Sequence, residues 1–363
     1  MTRSGGRRVV AVSLALAALI LGGCGKKGAI VAPERRLPAP ATELRASIEE
    51  RSIVVTWTNP STRADGTRMR DLAVVRLFRR DEVPDAPPKP AMLSGDRVVG
   101  YEQIARIALD GTPPPGVQVG GNTVSFTDTT GLTFGRRYVY VVTAEDATGR
   151  SSPPSQRLVV TFVAAPVPPS NLTAQAGDAE ARLTWSPPLT LVDGGPVAGE
   201  IRYLVLRAVG EGALARVTPT PIADTSFTDK GLTNDATYSY AVRAVRVETQ
   251  GTAVGPVSER VTATPVKTTP PSAPTRLIAI PAAGSVRLAW NASPETDVAL
   301  YVVYRAEGTS PFVRIATVQT ISTLYTDSDV QSGRTYRYVV TALDRAKKAN
   351  ESARSNEVSV TVP

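Results

Sequence analysis

The chain has 363 residues and a formal net charge of +8, with no histidine and one cysteine. The lack of histidine removes the commonest general base and the commonest metal ligand, and one cysteine excludes an intramolecular disulfide and a Cys-based zinc or iron–sulfur site. Apolar content of 42% with 30 prolines and 28 glycines is typical of a folded, turn-rich protein of about two to four domains.

The excess positive charge is concentrated at the N-terminus. Residues 1–36 hold seven basic side chains and one acidic side chain, whereas the rest of the chain is close to neutral. A nucleic-acid-binding domain shows a basic stripe or patch, so the sequence argues against a nucleic-acid partner.

The first 23 residues have the pattern of a signal peptide. Residues 1–8 are polar and basic, and residues 9–21 are uncharged and mainly apolar. A helix of that length extends about 20 Å, short of the roughly 30 Å hydrocarbon core of a bilayer. This favours a signal peptide over a transmembrane helix.

Leu21-Gly22-Gly23-Cys24 resembles the lipobox of bacterial lipoproteins. The resemblance implies cleavage after residue 23 and a membrane anchor on lipidated Cys24, since two acyl chains suffice for stable anchoring. In enteric lipoproteins an aspartate after the cysteine retains the protein at the inner membrane, so Gly25 implies the outer membrane. The alternative is a buried cysteine in a signal-anchor helix. Residues 24–38 are interpreted as a tether.

The rest of the chain contains one pattern three times. The copies lie about 100 residues apart, which is the size of an independent domain. Within each copy, apolar residues recur at every second position over five to eight residues, with turn residues between the runs. About seven such runs per copy predict antiparallel strands and an all-β fold of three tandem β-sandwiches.

Two sets of aromatic residues make the copies resemble fibronectin type III domains of the immunoglobulin-like class. Each copy has a tryptophan on its second strand, which the resemblance places in the core. Each also has a tyrosine six residues after an apolar corner residue, similar to the tyrosine corner. Val75 departs from the pattern, because the other copies have tyrosine at this position of the third strand. The residues are Trp57, Trp185 and Trp290, and Tyr138, Tyr238 and Tyr336.

The repeat predicts domains at 39–164, 165–266 and 267–363. The first copy contains an insertion at about 81–120, rich in proline and glycine. A long insertion on a rigid scaffold often binds a partner, and the alternative is a proline-stiffened excursion without one.

The sequence points to no catalytic residues, cofactor or metal site, and we expect the protein not to be an enzyme. The recurring acids Asp128, Asp229 and Asp327 occur at strand ends in every copy, which favours a structural role. The junctions between copies lack the clustered carboxylates of a calcium site.

We therefore expect a lipid-anchored envelope protein that presents three such domains as a scaffold or protein-binding module, with other envelope proteins as partners. The alternative is a carbohydrate- or peptidoglycan-associated lipoprotein. That role requires exposed aromatic rings, and five aromatics are unplaced by the repeat: Phe78, Tyr101, Phe134, Phe162 and Phe312. A polysaccharide partner has no positive support in the sequence.

Overall fold

The computed structural model describes residues 36–82, 89–249 and 251–363. The signal peptide at 1–23, Cys24 and most of the tether lie outside these residues. Within them, no helix has the length and apolarity needed to span a membrane. The chain divides into two compact units, one containing Ser52–Phe162 and the other Val163–Pro363, with Ile48–Arg51 assigned to the second.

The first unit contains a β-sandwich, called sandwich 1 below. Its strands are β1 (Thr42–Glu49), β2 (Ser52–Thr58), β3 (Leu72–Glu82), β4 (Leu93–Ser94), β5 (Arg97–Val98), β6 (Glu102–Ala108), β7 (Val117–Gly120), β8 (Thr123–Asp128), β9 (Arg137–Asp146) and β10 (Leu158–Thr161). One sheet runs β1-β2-β8-β7 and the other β10-β9-β3-β6, and β4 and β5 form a separate hairpin.

The second unit begins with sandwich 2. Its strands are β11 (Ser170–Ala176), β12 (Glu180–Ser186), β13 (Glu200–Val209), β14 (Ala215–Arg216), β15 (Ser226–Lys230), β16 (Tyr238–Glu248), β17 (Gly251–Val257) and β18 (Val261–Ala263). They form the sheet β11-β12-β15 and the run β14-β13-β16-β17, and β18 also pairs with β16.

Sandwich 3 completes the second unit. Its strands are β19 (Thr275–Ala282), β20 (Ser285–Asn291), β21 (Val298–Glu307), β22 (Val313–Gln319), β23 (Leu324–Asp327), β24 (Thr335–Asp344) and β25 (Val358–Thr361). The two sheets run β19-β20-β23 and β22-β21-β24-β25. The predicted all-β architecture of tandem sandwiches is thus confirmed.

The alternating sequence pattern places every second side chain of a strand in the core. In sandwich 3, Leu288 and Trp290 of β20 pack with Tyr301 of β21 and with Tyr338 and Val340 of β24 in one buried cluster. Burial of each such side chain contributes about 1.5–3 kcal/mol. β-branched and aromatic residues fit the pleated surface, which is why these runs form strands.

The insertion of sandwich 1 consists of two separate additions. Strand β6 lies inside the predicted range 81–120 but pairs with β3, just as β22 pairs with β21 in sandwich 3. Strand β6 is therefore part of the framework. The additions are the segment before it, which contains the β4–β5 hairpin, and the segment after it, which forms β7 against β8. Residues 83–88 lie outside the described residues.

Sandwich 2 differs from its neighbours at one tightly packed glycine. In sandwiches 1 and 3 the hydroxyls of Ser152 and Ser352 accept hydrogen bonds from backbone N–H groups of the preceding long strand. Sandwich 2 has Gly255 at this position. A Cβ there would lie 2.2 Å from the carbonyl oxygen of Pro166, so only glycine permits this backbone approach.

Candidate functional site

The three tryptophans occupy equivalent buried positions. Trp57 on β2, Trp185 on β12 and Trp290 on β20 are each at most 6% exposed. Trp185 packs edge-on against Tyr203 with 5.3 Å between ring centroids, and Trp290 packs in the same way against Tyr301 at 5.5 Å. Edge-to-face pairs of this kind are favourable beyond the area they bury.

Sandwich 1 packs its tryptophan differently, because Val75 replaces the tyrosine. The indole Nε1 of Trp57 donates a hydrogen bond to Oδ1 of Asn59 at 2.9 Å. In the other two sandwiches the indole nitrogens of Trp185 and Trp290 are buried without a hydrogen-bond partner among the described residues. The departure at Val75 is therefore accompanied by a different polar contact for the same indole.

Each of the three corner tyrosines uses its hydroxyl to fix the turn before its own strand. The oxygen accepts a hydrogen bond from a backbone N–H five residues upstream, which satisfies a donor in a tight turn. The donors are Thr133 for Tyr138 at 2.8 Å, Thr233 for Tyr238 at 3.0 Å and Gln331 for Tyr336 at 3.1 Å.

A buried polar group connects the two sheets of sandwich 1. Nη1 of Arg79 on β3 donates to Oδ2 of Asp128 on β8 at 2.7 Å, and the hydroxyl of Tyr140 on β9 donates to the same oxygen at 2.9 Å. The guanidinium of Arg79 lies 5.3 Å from the ring centroid of Tyr138. We call this arrangement the Arg–Asp–Tyr group.

The same group recurs in the other sandwiches. In sandwich 2 the Arg–Asp distance is 2.9 Å and the Tyr–Asp distance 2.8 Å, and in sandwich 3 these are 3.0 Å and 2.9 Å. The arginine also lies over the corner tyrosine in both. The members are Arg207, Asp229 and Tyr240, and Arg305, Asp327 and Tyr338.

The electrostatics of this group favour a fixed charge state. Burial, together with the nearby Asp128 carboxylate, raises the pKa of the Tyr140 phenol, and Tyr240 and Tyr338 are shifted in the same direction for the same reasons. Burial is the largest influence on Arg79 and opposes its charge, but the hydrogen bond to Asp128 and the attraction of the surrounding acidic groups together outweigh burial, so the pKa of Arg79 is raised. These raised pKa values keep the Tyr140 phenol neutral and the Arg79 guanidinium charged across neutral pH, so the group acts as a structural element.

A second buried carboxylate, that of Asp146, lies at the end of β9 in sandwich 1. The side chain of Asp146 is fully buried and accepts from Nη1 of Arg63 at 2.8 Å. Arg63 also pairs with Asp71 at 2.6 Å. Burial alone would raise the pKa of Asp146, but the hydrogen bonds from Arg63, Thr148 and Arg150 lower it well below its usual range.

The equivalent position is occupied differently in the other sandwiches. In sandwich 3, Asp344 accepts from Nδ2 of Asn350 at 2.9 Å and pairs with Nζ of Lys267 at 3.1 Å. Burial opposes its ionisation, yet these contacts lower the pKa of Asp344 to about 2. In sandwich 2 the position holds Arg246, which pairs with Glu248 at 2.7 Å.

The described residues of the insertion of sandwich 1 form a packed surface. Phe78 on β3, Val98 on β5 and Val141 on β9 form a small buried cluster against which Tyr101 packs. The guanidinium of Arg80 lies 4.8 Å from the ring centroid of Tyr101. A cleft of about 550 Å³ opens between β6 and the turn before β7; its lining residues include Ile104, Arg106, Pro114, Phe126 and Thr127.

The aromatics left unplaced by the sequence have packing partners or an overlying cation. Phe134 and Phe162 stack with 4.6 Å between centroids. The guanidinium groups of Arg337 and Arg354 lie 4.9 Å and 5.0 Å from the ring centroid of Phe312. In the part of the chain that the structure describes, no three acidic or cysteine side chains lie close enough together to hold a metal ion.

Comparison with known proteins finds one family match and two matched relatives. The family model for the fibronectin type III domain matches residues 167–260. Exoglucanase B of Cellulomonas fimi is 36% identical over 279 residues, covering 73% of this chain and 23% of that protein. Endoglucanase B of Cellulomonas fimi is 32% identical over 286 residues, covering 74% and 25% respectively. The chain thus spans about a quarter of the length of these relatives.

Among solved structures, the FN1–FN3 domains of chicken CNTN1 align over 90% of this chain and 99% of that one, with 16% identity and a TM-score of 0.27. The family match over residues 167–260 falls on sandwich 2. The sheets described above give the rest of the chain the same class of fold. The chain is an all-β protein of tandem fibronectin type III-like sandwiches.

Proposed function

We propose that the chain is a non-catalytic scaffold that holds a partner protein on the insertion of sandwich 1. The packed surface of that insertion carries the proposal. Sandwiches 2 and 3 have no counterpart of the β4–β5 hairpin among the described residues, and Met92 and Val99, which flank the two hairpin strands, are exposed to solvent. Exposed apolar side chains on an ordered loop are typical of a protein-binding surface.

The polar residues that recur in all copies support a non-catalytic role. The Arg–Asp–Tyr groups direct their hydrogen bonds inward, and their aspartates are almost completely buried. A general acid or base must reach substrate. We expect the full chain to show no hydrolysis of cellulose or peptidoglycan, and turnover above that of a heat-denatured sample would contradict this part of the proposal.

We further propose that lipidated Cys24 anchors the scaffold in the cell envelope, with the outer membrane favoured by Gly25. Two or more acyl chains give stable anchoring. Cys24→Ala is expected to move the protein from the membrane fraction to the soluble fraction. Retention of the variant in the membrane would overturn the anchor.

In-cell crosslinking with mass spectrometry tests the partner. We expect crosslinks from the insertion to another envelope protein in the wild type and their loss in the double variant Met92→Ser/Val99→Ser. Leu189→Ser is the matched control, because Leu189 is an exposed apolar residue of sandwich 2. Unchanged crosslinks in the double variant would end the proposal for this surface.

A second candidate is a carbohydrate-associated module, favoured by the two matched relatives, whose names are those of glucanases. The matched part of this chain consists largely of β-sandwiches. This candidate predicts retention of the full chain on insoluble cellulose or peptidoglycan and release by Phe312→Ala. Equal elution from polysaccharide and from an inert resin would exclude it.

A further inference from the structure

Three arginine side chains share one carboxylate on the outer face of the sheet β10-β9-β3-β6 in sandwich 1. The carboxylate is that of Glu82 at the end of β3, which pairs with Arg157. Nη2 of Arg80 lies 3.5 Å from Oε1 of Glu82, and Nη2 of Arg137 lies 3.6 Å from Oε2. Because side chains alternate along a strand, Arg80 and Glu82 lie on the opposite face of β3 from Arg79. We call Arg80, Glu82, Arg137 and Arg157 the Glu82 cluster.

The charges of the Glu82 cluster do not balance. Three guanidinium groups face one carboxylate, and none of them forms an ion pair with another carboxylate of the described residues. The side chain of Glu82 is 9% exposed and those of Arg80 and Arg157 are mostly buried. A cation that is partly removed from water without a counter-charge is unfavourable. The cluster therefore has an excess of positive charge where a further anion would be stabilising.

Buried donors at the cluster also lack acceptors. Nε of Arg137, Nε of Arg157 and the hydroxyl of Tyr101 are buried without a hydrogen-bond partner among the described residues. Tyr101 adjoins the cluster, since the Arg80 guanidinium lies 4.8 Å from its ring centroid. Buried polar groups are nearly always paired in proteins. Unpaired N–H groups on two neighbouring cations indicate a site for an acceptor, and the excess charge favours an anionic one.

The other two sandwiches have small residues in place of the cluster. Their threonines at the start of the long strand donate to or accept from a threonine of the next strand, at 2.9 Å in each case. Because the three sandwiches share one fold, the cluster is not needed for folding, and its presence in sandwich 1 alone indicates a separate role. In strand register, Arg80 corresponds to Ala208 and Ala306, Glu82 to Gly210 and Gly308, and Arg137 to Thr237 and Thr335.

Apolar side chains adjoin the cluster on the side of the β4–β5 hairpin. The backbone N–H of Tyr101 donates to the carbonyl of Val98 at 3.1 Å, and that of Val99 donates to the carbonyl of Met92 at 2.9 Å. The exposed Met92 and Val99 are thus neighbours, and Tyr101 connects them to Arg80. A phosphate group would use only the cations of this surface. A protein segment with acidic and apolar side chains would complement both parts.

We propose that the Glu82 cluster binds a carboxylate of the partner protein that the insertion holds. An Asp or Glu side chain of the partner pairs with Arg137 and Arg157, and apolar side chains beside it cover Met92 and Val99. Guanidinium groups bind carboxylates through paired, charge-assisted hydrogen bonds. The Arg137 side chain is 35% exposed, so the carboxylate reaches it from solvent. The inference rests on the proposed protein-binding function and adds the chemistry of the partner's surface.

Side-chain NMR of the full Cys24→Ala chain tests the proposal. The Nε–H signals of Arg137 and Arg157 are followed while a peptide of three leucines and three glutamates, with blocked termini, is added. We expect both signals to shift, and a peptide with glutamine in place of glutamate to bind about tenfold more weakly, because charged hydrogen bonds are lost. Arg260, which precedes β18 as Arg157 precedes β10, is the control signal that should not move.

Substitutions at Arg137 separate charge from packing. Arg137→Gln should weaken peptide binding about tenfold, whereas Arg137→Lys should retain most of it. Arg137→Glu places a second carboxylate in the cluster and should abolish binding. Glu82 keeps Arg80 and Arg157 in all three variants, and hydrogen exchange along β9 checks that they fold. Arg260→Gln is the matched control.

Several outcomes would overturn the proposal. Equal binding of the glutamate and glutamine peptides to the Cys24→Ala chain would do so without any substitution in the cluster. Tighter binding of inorganic pyrophosphate or phosphatidylglycerol vesicles than of the acidic peptide would assign the cluster to phosphate. Asp85 lies outside the described residues, and a shift of the two Nε–H signals in Asp85→Asn without peptide would make a carboxylate of the insertion itself the occupant.

In-cell crosslinking distinguishes this inference from the proposed function. Loss of partner crosslinks in both Met92→Ser/Val99→Ser and Arg137→Gln would support the two together. Loss in the first variant alone would leave partner binding standing and remove the carboxylate contact. Unchanged crosslinks in both variants would overturn the proposed function as well.

Discussion

Sandwiches 1 and 3 contain the same buried Arg–Asp–Tyr group but differ in what surrounds it. In sandwich 1 the core tryptophan is hydrogen-bonded to Asn59, whereas in sandwich 3 it packs against Tyr301. The buried carboxylate at the end of the long strand, Asp146 in sandwich 1 and Asp344 in sandwich 3, also pairs with a different cationic side chain in each. Arg63 belongs to sandwich 1 itself, whereas Lys267 belongs to the segment between β18 and β19.

The difference separates what the fold requires from what each sandwich can vary. The Arg–Asp–Tyr group connects the two sheets, so its geometry is repeated closely. The strand-end carboxylate needs a counter-charge, but the cation can come from any segment that reaches it. In sandwich 3 that segment is the connection from sandwich 2, so the ion pair at Asp344 also fixes the connecting chain.

The largest effect is expected when the shared group is broken. Asp128→Ala leaves the Arg79 guanidinium, whose side chain is 9% exposed, without its main counter-charge, and should destabilise sandwich 1 by about 3–5 kcal/mol. Asp327→Ala should cost less, because Arg305 keeps Asp329 at 3.2 Å. Hydrogen exchange with mass spectrometry measures the opening free energy of each sandwich in the full chain.

Tyr140→Phe is the conservative control, since it removes one hydrogen bond and keeps the ion pair. It should cost about 1 kcal/mol. Equal losses for Asp128→Ala and Tyr140→Phe would show that the ion pair is not what stabilises the group.

An intermediate effect is expected when the cationic side chains that pair with the strand-end carboxylates Asp146 and Asp344 are removed. Arg63→Met should destabilise sandwich 1 by about 2 kcal/mol, because the hydrogen bonds of Arg63 to Asp146 and Asp71 are lost. Lys267→Met should destabilise sandwich 3 less, because the Lys267 side chain is more exposed than that of Arg63, 22% against 14%. Hydrogen exchange at the end of β24 and in the segment before β19 should rise together in Lys267→Met.

Arg136→Met is the control for these cations, because Arg136 and Asp81 form a solvent-exposed pair that should contribute little. If Lys267→Met loosened β24 but left the connecting segment protected, the ion pair would not be what fixes that segment.

The smallest effect is expected from acid. The pKa of Asp344 is about 2 in the folded protein, against about 3.9 for an aspartate in an unfolded chain. The unfolded state therefore takes up a proton first as the pH falls. The stability contributed by Asp344 is fully present above about pH 5 and is lost progressively as the pH falls through 4 and 3 to about 2.

Asp344→Asn should flatten this part of the pH dependence. The urea midpoint of sandwich 3, followed by hydrogen exchange at pH 4, 3 and 2, checks the expectation. An unchanged slope in the variant would mean that another carboxylate dominates acid unfolding of this sandwich.

The sequence was sufficient to predict the class of fold. Period-two alternation and the recurring tryptophans and tyrosines indicated the sandwiches, because these residues act through burial, which leaves a local pattern. The Arg–Asp–Tyr group was not predicted as a unit. Arg79 and Asp128 lie 49 residues apart in the chain, and nothing local in the sequence shows that their side chains meet.

Two further features were hidden for different reasons. The greater length of the first copy shows only how many residues have been added, so it cannot distinguish the framework strand β6 from the additions on either side. On β19 the outward residues Ile278 and Ile280 flank the partly buried Ala279. A continuous apolar run masks the alternation that identifies exposed side chains.

Gly255 has a consequence for how the repeated chain could be rearranged. A serine at this position, as in either neighbouring sandwich, would place a Cβ 2.2 Å from the carbonyl oxygen of Pro166. Neither neighbour could therefore be duplicated into the middle position without moving the backbone that leads into it. Because position 255 must be glycine, the three sandwiches cannot be exchanged freely. A neighbouring sandwich moved to the middle position would need its serine replaced by glycine in order to fold in the same way.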